Sequence, residues 1–391
     1  MFGNLKYPIL LLWVLLLLTG CSSSGNDEDI VSFVEPKPGR TVGLKKEWSR
    51  SVEGTPKEYM NHPRQIAVTQ EDVFVGTYGG QVVRVDKKRG KIVWQKNIGS
   101  EVVGGVAVWE DLVFAGSVAG KMVALSREDG KQVWESSVAT TVASAPAVTG
   151  DKVIFTTLDN RTYALDSKSG KLQWTHSSVP QTLVIKGAAT PVVNGELVYV
   201  GYSTGELFAI NLSNGKVIWT QNLSRLSGRS EFERLQDLDA EMVVGKHDSD
   251  NLVPKIYAVN HQGYIKAFHV ISGEQIWEQK FSAIRRPLLW GSQLFVSAVG
   301  GHIVSISSED GLEVWRTEVS DGYLTAPVRL GNRIIVGDNM GRLLSLDPTS
   351  GRVVGLDKRV NPIIADPVVD GVTLLLWTNE GDLIRYTVDE L

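Results

Sequence analysis

Three groups of residues in this sequence have chemistry to offer: a carboxylate pair at Asp237 and Asp239, six scattered histidines, and the acidic run Asp248-Ser249-Asp250-Asn251. Two carboxylates can divide general acid and general base work if their surroundings push their proton affinities apart. Here the pair lies in GRSEFERLQDLDAEMVV, Gly228 to Val244, a polar stretch with no histidine and no apolar pocket-forming run. That context points to a solvated or protein-facing role. The histidines (His62, His176, His247, His261, His269 and His302) show no two-ligand spacing of the zinc type. The acidic run begins like a calcium loop, but Leu252 occupies a ligand position and no glycine follows. It reads as a turn. Neither a G-x-S-x-G elbow nor a phosphate-binding loop is present. The expected catalytic set, metal set and cofactor are therefore none, and the chain reads as a non-enzyme.

Cys21 is the sole cysteine, and it follows an uninterrupted apolar run from Ile9 to Leu18. A bilayer-spanning helix needs roughly 20 apolar residues, so this run suits a secretory signal better. The sequence Leu18-Thr19-Gly20-Cys21 resembles a lipobox, in which the thiol is acylated and the cysteine becomes the first mature residue. Lipoproteins of that type carry more than one acyl chain, and at about 0.8 kcal/mol per buried CH₂ this gives stable membrane residence. Ser22, rather than the aspartate that signals inner-membrane retention, favours the outer membrane. The expected organisation is a signal peptide over 1–20, a lipidated polar tether over 21–43 and a globular unit over 44–391. A net charge of −4, or −5 after loss of Lys6 with the signal, argues against nucleic-acid binding.

The elements that would carry any site repeat. Gly-x-x-x-Trp recurs at Trp94, Trp134, Trp174, Trp219, Trp277 and Trp315, and a seventh copy has Gly355 in the Trp place. Successive positions are 40, 40, 45, 58, 38 and 40 residues apart, the length of a propeller blade. GDKVIFTTLDNRTYALDSKSGKLQW reads strand–turn–strand–turn–strand, with the short strand APAV before it. The turn glycine is expected at positive φ, and the Trp is expected to pack between blades. His269 holds the turn place taken elsewhere by Asp166 and Asp347. Pro367 begins a last unit whose Trp would fall at 395, beyond Leu391, whereas LKKEWSRSV places Trp48 in an orphan strand near the start. That strand is expected to complete the last unit, giving an all-β, eight-bladed propeller of four-stranded antiparallel blades without open edges.

The repeat A-L-D-x-x-x-G-x-x-x-W, complete at Ala164 to Trp174, resembles the tryptophan-docking repeats of pyrroloquinoline-quinone dehydrogenases. With the lipobox, the length and GxxEFERLQDLD, the whole chain resembles the propeller lipoproteins of the outer-membrane β-barrel assembly machinery. That resemblance implies a non-catalytic scaffold on the periplasmic face of the outer membrane. It would bind the periplasmic domains of the central barrel component and assist insertion, with nascent outer-membrane proteins as further candidate partners. Two neighbouring inter-blade loops carry the contact in that family. VPQTLVIKG matches the first and places Leu183, Ile185 and Lys186; RLQDLD matches the second and places Asp237 and Asp239, with Arg234 beside them. Lys186 stands where arginine is commoner in that family, so the resemblance does not carry a bidentate contact over to this position. The alternatives are a quinone-type periplasmic dehydrogenase and an envelope-glycan-binding propeller. A single cysteine cannot supply the adjacent cysteine pair that the quinone enzymes use.

Repeat counting supports those loops separately. Aligning AEMV with APAV, Trp219 to Glu241 is 22 residues against 12 from Trp134 to Pro146, so 10 extra residues lie between blades. Another 8 lie within the next blade, around Lys246 to Pro254, and Trp174 to Pro191 is 5 longer than the same reference. Two adjacent enlarged connections should share one propeller face, where function concentrates.

Overall fold

The computed structural model describes residues 43–52, 65–179, 188–223, 242–245, 254–260, 263–283, 285–357, 360–363 and 365–388. The chain divides into two compact units, Met1–Ile30 and Val31–Leu391, and every described residue lies in the second.

The third repeat shows how the pattern becomes a blade. Its strands Ala147–Thr149, Lys152–Thr157, Arg161–Asp166 and Leu172–Ser177 pair antiparallel in chain order. The middle two are buried along nearly their whole length, so they read as continuous apolar and β-branched runs. In the fourth strand only Trp174 is fully buried. Seven sheets are built this way. In the eighth, Val368–Asp370, Thr373–Trp377 and Asp382–Val388 are completed by the N-terminal strand Leu44–Ser51, which pairs with Asp382–Val388. This is the expected closure.

The apolar core lies between blades rather than within them. Among the described residues the buried ones form eight clusters, each drawn from two consecutive blades. One of them joins Leu375, Trp377 and Leu383 of the last blade to Val73, Val75 and Val83 of the first, which makes the assembly a ring. First strands of neighbouring blades touch, so they line the axis and the fourth strands form the rim.

The Gly…Trp signature acts across each interface. Every repeat Trp donates its indole N–H to a turn carbonyl of the following blade: Trp48 to Lys87, Trp94 to Arg127, Trp134 to Ser167, Trp174 to Leu212, Trp219 to Val270, Trp277 to Ser308 and Trp315 to Pro348, all at 2.9–3.1 Å. The ring lies on that turn's glycine, where a Cβ would come within 2.5–2.9 Å of it. These glycines hold φ between 66° and 77°. So the glycine is required by both its backbone and its neighbour. A β-bulge just before each Trp turns it inward, and leaves the skipped residues Val93, Val133, Ile218 and Val314 about half exposed on the rim. Gly355 stands at the one interface without a dock. The third and fourth strands of the last blade come from opposite ends of the chain, so no turn glycine waits there.

Candidate docking surface

Each blade hands the chain on by a connection from its fourth strand to the next blade's first. The start of that connection is tied to the hairpin joining the second and third strands of its own blade: Ile98 N–H donates to Gly80, Val138 to Gly120, Leu223 to Gly205 and Phe281 to Gly263. The described starts of the connections therefore lie on one face with those hairpins. Three connections are long, over 52–66, 178–191 and 223–242; the last two are neighbours on either side of blade 4, and their described starts, at Ser178 and Leu223, lie on that face. Leu183, Ile185, Lys186, Arg234, Asp237 and Asp239 lie outside the described residues, as do Cys21 and the 246–253 insertion between Val243–Val244 and Lys255–Val259. The structure does describe the anchors of both connections.

The first connection leaves blade 3 through Ser178, whose hydroxyl hydrogen-bonds the Glu206 carboxylate of blade 4; Thr204 also donates to that carboxylate at 2.7 Å. Behind it, His176 stacks on Tyr202 and tilts against Phe208, with its Nδ1 2.9 Å from the Tyr202 hydroxyl. Thr162 shares that hydroxyl at 2.8 Å. Burial holds the His176 pKa below the ordinary imidazole value, against an opposing pull from Glu206. Burial likewise pushes the Tyr202 phenol well up, so both groups are neutral. Where the connection returns to the axis, Thr190 accepts a hydrogen bond from the Gln65 side chain at 2.9 Å, which joins blade 4 to blade 1.

The second connection is held by its two apolar ends. Leu223 and Met242 are buried in the core shared by blades 4 and 5. The buried Lys266 of blade 5 donates to the Asn222 carbonyl at 3.3 Å and pairs with Glu278 at 3.2 Å. These anchors escape a sequence reading because each depends on a neighbouring blade. His269 is the exception: its Nδ1 accepts the backbone N–H of Ser272 at 3.2 Å, the turn role its repeat position predicts.

Buried charges elsewhere are spent on structure. Asp72 pairs with Arg84 and Arg127, at 2.9 and 3.4 Å, and Asp338 with Arg342 at 2.6 Å. Among the described residues no group of three or more His, Cys, Asp or Glu is placed to hold a metal ion.

The fold and this face together define a Trp-docked eight-bladed propeller that braces the described ends of two neighbouring connections, a scaffold architecture. A family model described as outer membrane protein assembly factor BamB matches residues 27–114, 79–317 and 261–388. The Pseudomonas aeruginosa protein of that name is 36% identical over 384 residues, 97% of this chain and 98% of that one. For Yersinia pestis the figures are 27% over 385 residues, 95% and 96%. The Legionella pneumophila protein is 29% identical over 208 residues, 53% of this chain and about half (52%) of its own length. The chain belongs to the outer membrane protein assembly factor BamB family. Among solved structures, BamB from Moraxella catarrhalis matches with TM-score 0.78 at 22% identity, covering 88% of this chain and 99% of that one. Quinohemoprotein alcohol dehydrogenase from Comamonas testosteroni matches with TM-score 0.69 at 14% identity, covering 89% and 77%. At such identities both speak for the fold alone.

Proposed function

We propose that the protein is a non-catalytic scaffold lipoprotein of the outer-membrane protein assembly complex. In this reading residues 1–20 are removed, Cys21 is acylated, 21–43 tether the chain to the periplasmic face of the outer membrane, and 44–391 form the propeller. The propeller binds the periplasmic domains of the central barrel protein, BamA, and assists folding and insertion of nascent β-barrel proteins.

The observation that carries the reading is the break in the repeat. Of the three long inter-blade connections, two are neighbours on either side of blade 4, and their described ends are braced by side-chain hydrogen bonds. Leu183 and Ile185 supply apolar anchors; Lys186, Arg234, Asp237 and Asp239 supply charge that orients the partner and rejects wrong ones. Co-purification from solubilised envelopes tests it. Wild-type protein should retain BamA and a Leu183→Ala/Asp239→Ala variant should lose it. Undiminished capture by the folded variant would remove the assignment of these loops.

A further inference from the structure

The hairpin between the second and third strands ends in glycine in seven blades: Gly80, Gly120, Gly205, Gly263, Gly301, Gly341 and Gly381. Blade 3 has Asn160 there, at φ 58°. Its backbone does what the glycines do: its N–H closes the turn on Thr157 and its carbonyl receives Ser178 N–H. Left-handed backbone disfavours a side chain, with Asn the most tolerant. Crowding disfavours it further in four of the other blades. A Cβ at Gly80 would lie 2.9 Å from the Ser100 carbonyl oxygen and one at Gly120 2.7 Å from that of Val138, while Gly301 and Gly341 would collide with the carbonyls of Ser320 and Val360. Each of these obstacles belongs to the outgoing connection. A side chain fits in blade 3, where the outgoing connection is one of the enlarged ones and its Val179 carbonyl accepts a hydrogen bond from it.

The space is used. Asn160 is 3% exposed. Its Nδ2 donates to the Val179 carbonyl at 3.1 Å, and its Oδ1 accepts Ser203 N–H at 3.2 Å and Ser203 Oγ–H at 2.9 Å. One amide thus ties the hairpin of blade 3, the hairpin of blade 4 and the start of the connection, whose Val179 is 72% exposed. The backbone alone would be served better by glycine, so the side chain accounts for the residue.

We propose that Asn160 is a positioning residue for the first docking connection, holding Val179 against the blade 4 hairpin and so setting the path on which the chain leaves blade 3. This rests on the docking reading above. The test uses the mature chain carrying Asn160→Gly or Asn160→Asp. Glycine keeps the turn and removes all three side-chain bonds; aspartate keeps the acceptor for Ser203 and loses the donor to Val179. Asn160→Gly, which relieves the left-handed backbone, should melt close to the parent; Asn160→Asp, which buries a carboxylate oxygen against the Val179 carbonyl, should melt lower. Hydrogen exchange should quicken over 178–187 in both, whereas Ser203 N–H protection should fall only in Asn160→Gly. Binding of purified BamA periplasmic domains should weaken by on the order of tenfold in Asn160→Gly. Parental exchange and affinity in Asn160→Gly would overturn the proposal. So would a fall in the melting temperature of Asn160→Gly with parental affinity, the mark of a purely structural turn residue. Leu183→Ala/Asp239→Ala runs alongside. If it weakens binding and Asn160→Gly does not, only the brace fails; if it also binds at parental affinity, the docking reading fails and takes the proposal with it.

Discussion

Replacing Gly170 by alanine tests whether the repeat glycines serve the tryptophans or merely the turns. Gly170 has φ 69°, so a side chain there costs about 1 kcal/mol in backbone strain. Its new Cβ would lie 2.6 Å from the Trp134 ring and 2.7 Å from Ser136 Oγ. Overpacking of that kind adds about 1–3 kcal/mol. The sum is about 2–4 kcal/mol, a fall in Tm of roughly 5–15 °C at the slope expected of larger domains. Gly150 in the same blade is the control: φ is 54° and nothing lies within 4 Å of its would-be Cβ. Gly150→Ala should therefore show the strain alone, about 2–4 °C. Thermal and urea unfolding of the lipid-free mature chain reads both. A second signature is coupling: with Trp134→Ala in the background, Gly170→Ala should cost less than it does alone, because the obstructing ring is gone. Equal losses at Gly150 and Gly170, or strict additivity with Trp134→Ala, would refute docking as the reason for the repeat.

Other outcomes follow from the same interfaces. Gly355→Trp should restore the motif without restoring a dock, because the last blade has no turn to receive it; Tm should stay level or fall, and a gain would contradict the geometry. Deleting 44–51 removes Trp48 from Gly90 and bares Asp382–Val388 as an edge strand, so size-exclusion chromatography should show aggregates in place of monomer. The folded-state pKa of His176 is depressed, so its contribution to stability is complete above the unfolded value, roughly 6.5, and is lost as pH falls towards the folded one. His176→Gln should accordingly flatten the dependence of Tm on pH between about 7.5 and 5; an unchanged slope would show that the buried imidazole is not the titrating group.

Much of this architecture is legible along the chain because a propeller repeats local units. Counting from Pro367 to the missing Trp at 395, and noticing Trp48 near the start, is enough to close the ring. Insertion lengths likewise mark the two enlarged connections. What stays hidden is the partner of each repeated residue. Within one unit Gly170 and Trp174 look like a pair, yet Gly170 lies under Trp134 and Trp174 lies on Gly215. Such pairs form only across an interface. The same holds for the anchors: Asn160 and Ser203 are separated by 43 residues and Gln65 and Thr190 by 125. Asn160 did leave a mark, as the one departure from glycine at its repeat position, but its meaning needs the Val179 carbonyl beside it.

The central claim is that the two neighbouring enlarged connections on either side of blade 4 are the working surface of the scaffold. The direct measurement is calorimetric titration of the mature chain, carrying Cys21→Ser, with purified BamA periplasmic domains. Leu183→Ala/Asp239→Ala is compared with Val133→Ala, a half-exposed rim residue on blade 2. The account predicts that the loop variant loses on the order of a hundredfold in affinity while keeping its Tm, since anchor and charged residues each contribute about 1–2 kcal/mol. Val133→Ala should bind as the parent does. Parental affinity in the folded loop variant, or an equal loss from the rim substitution, would contradict it.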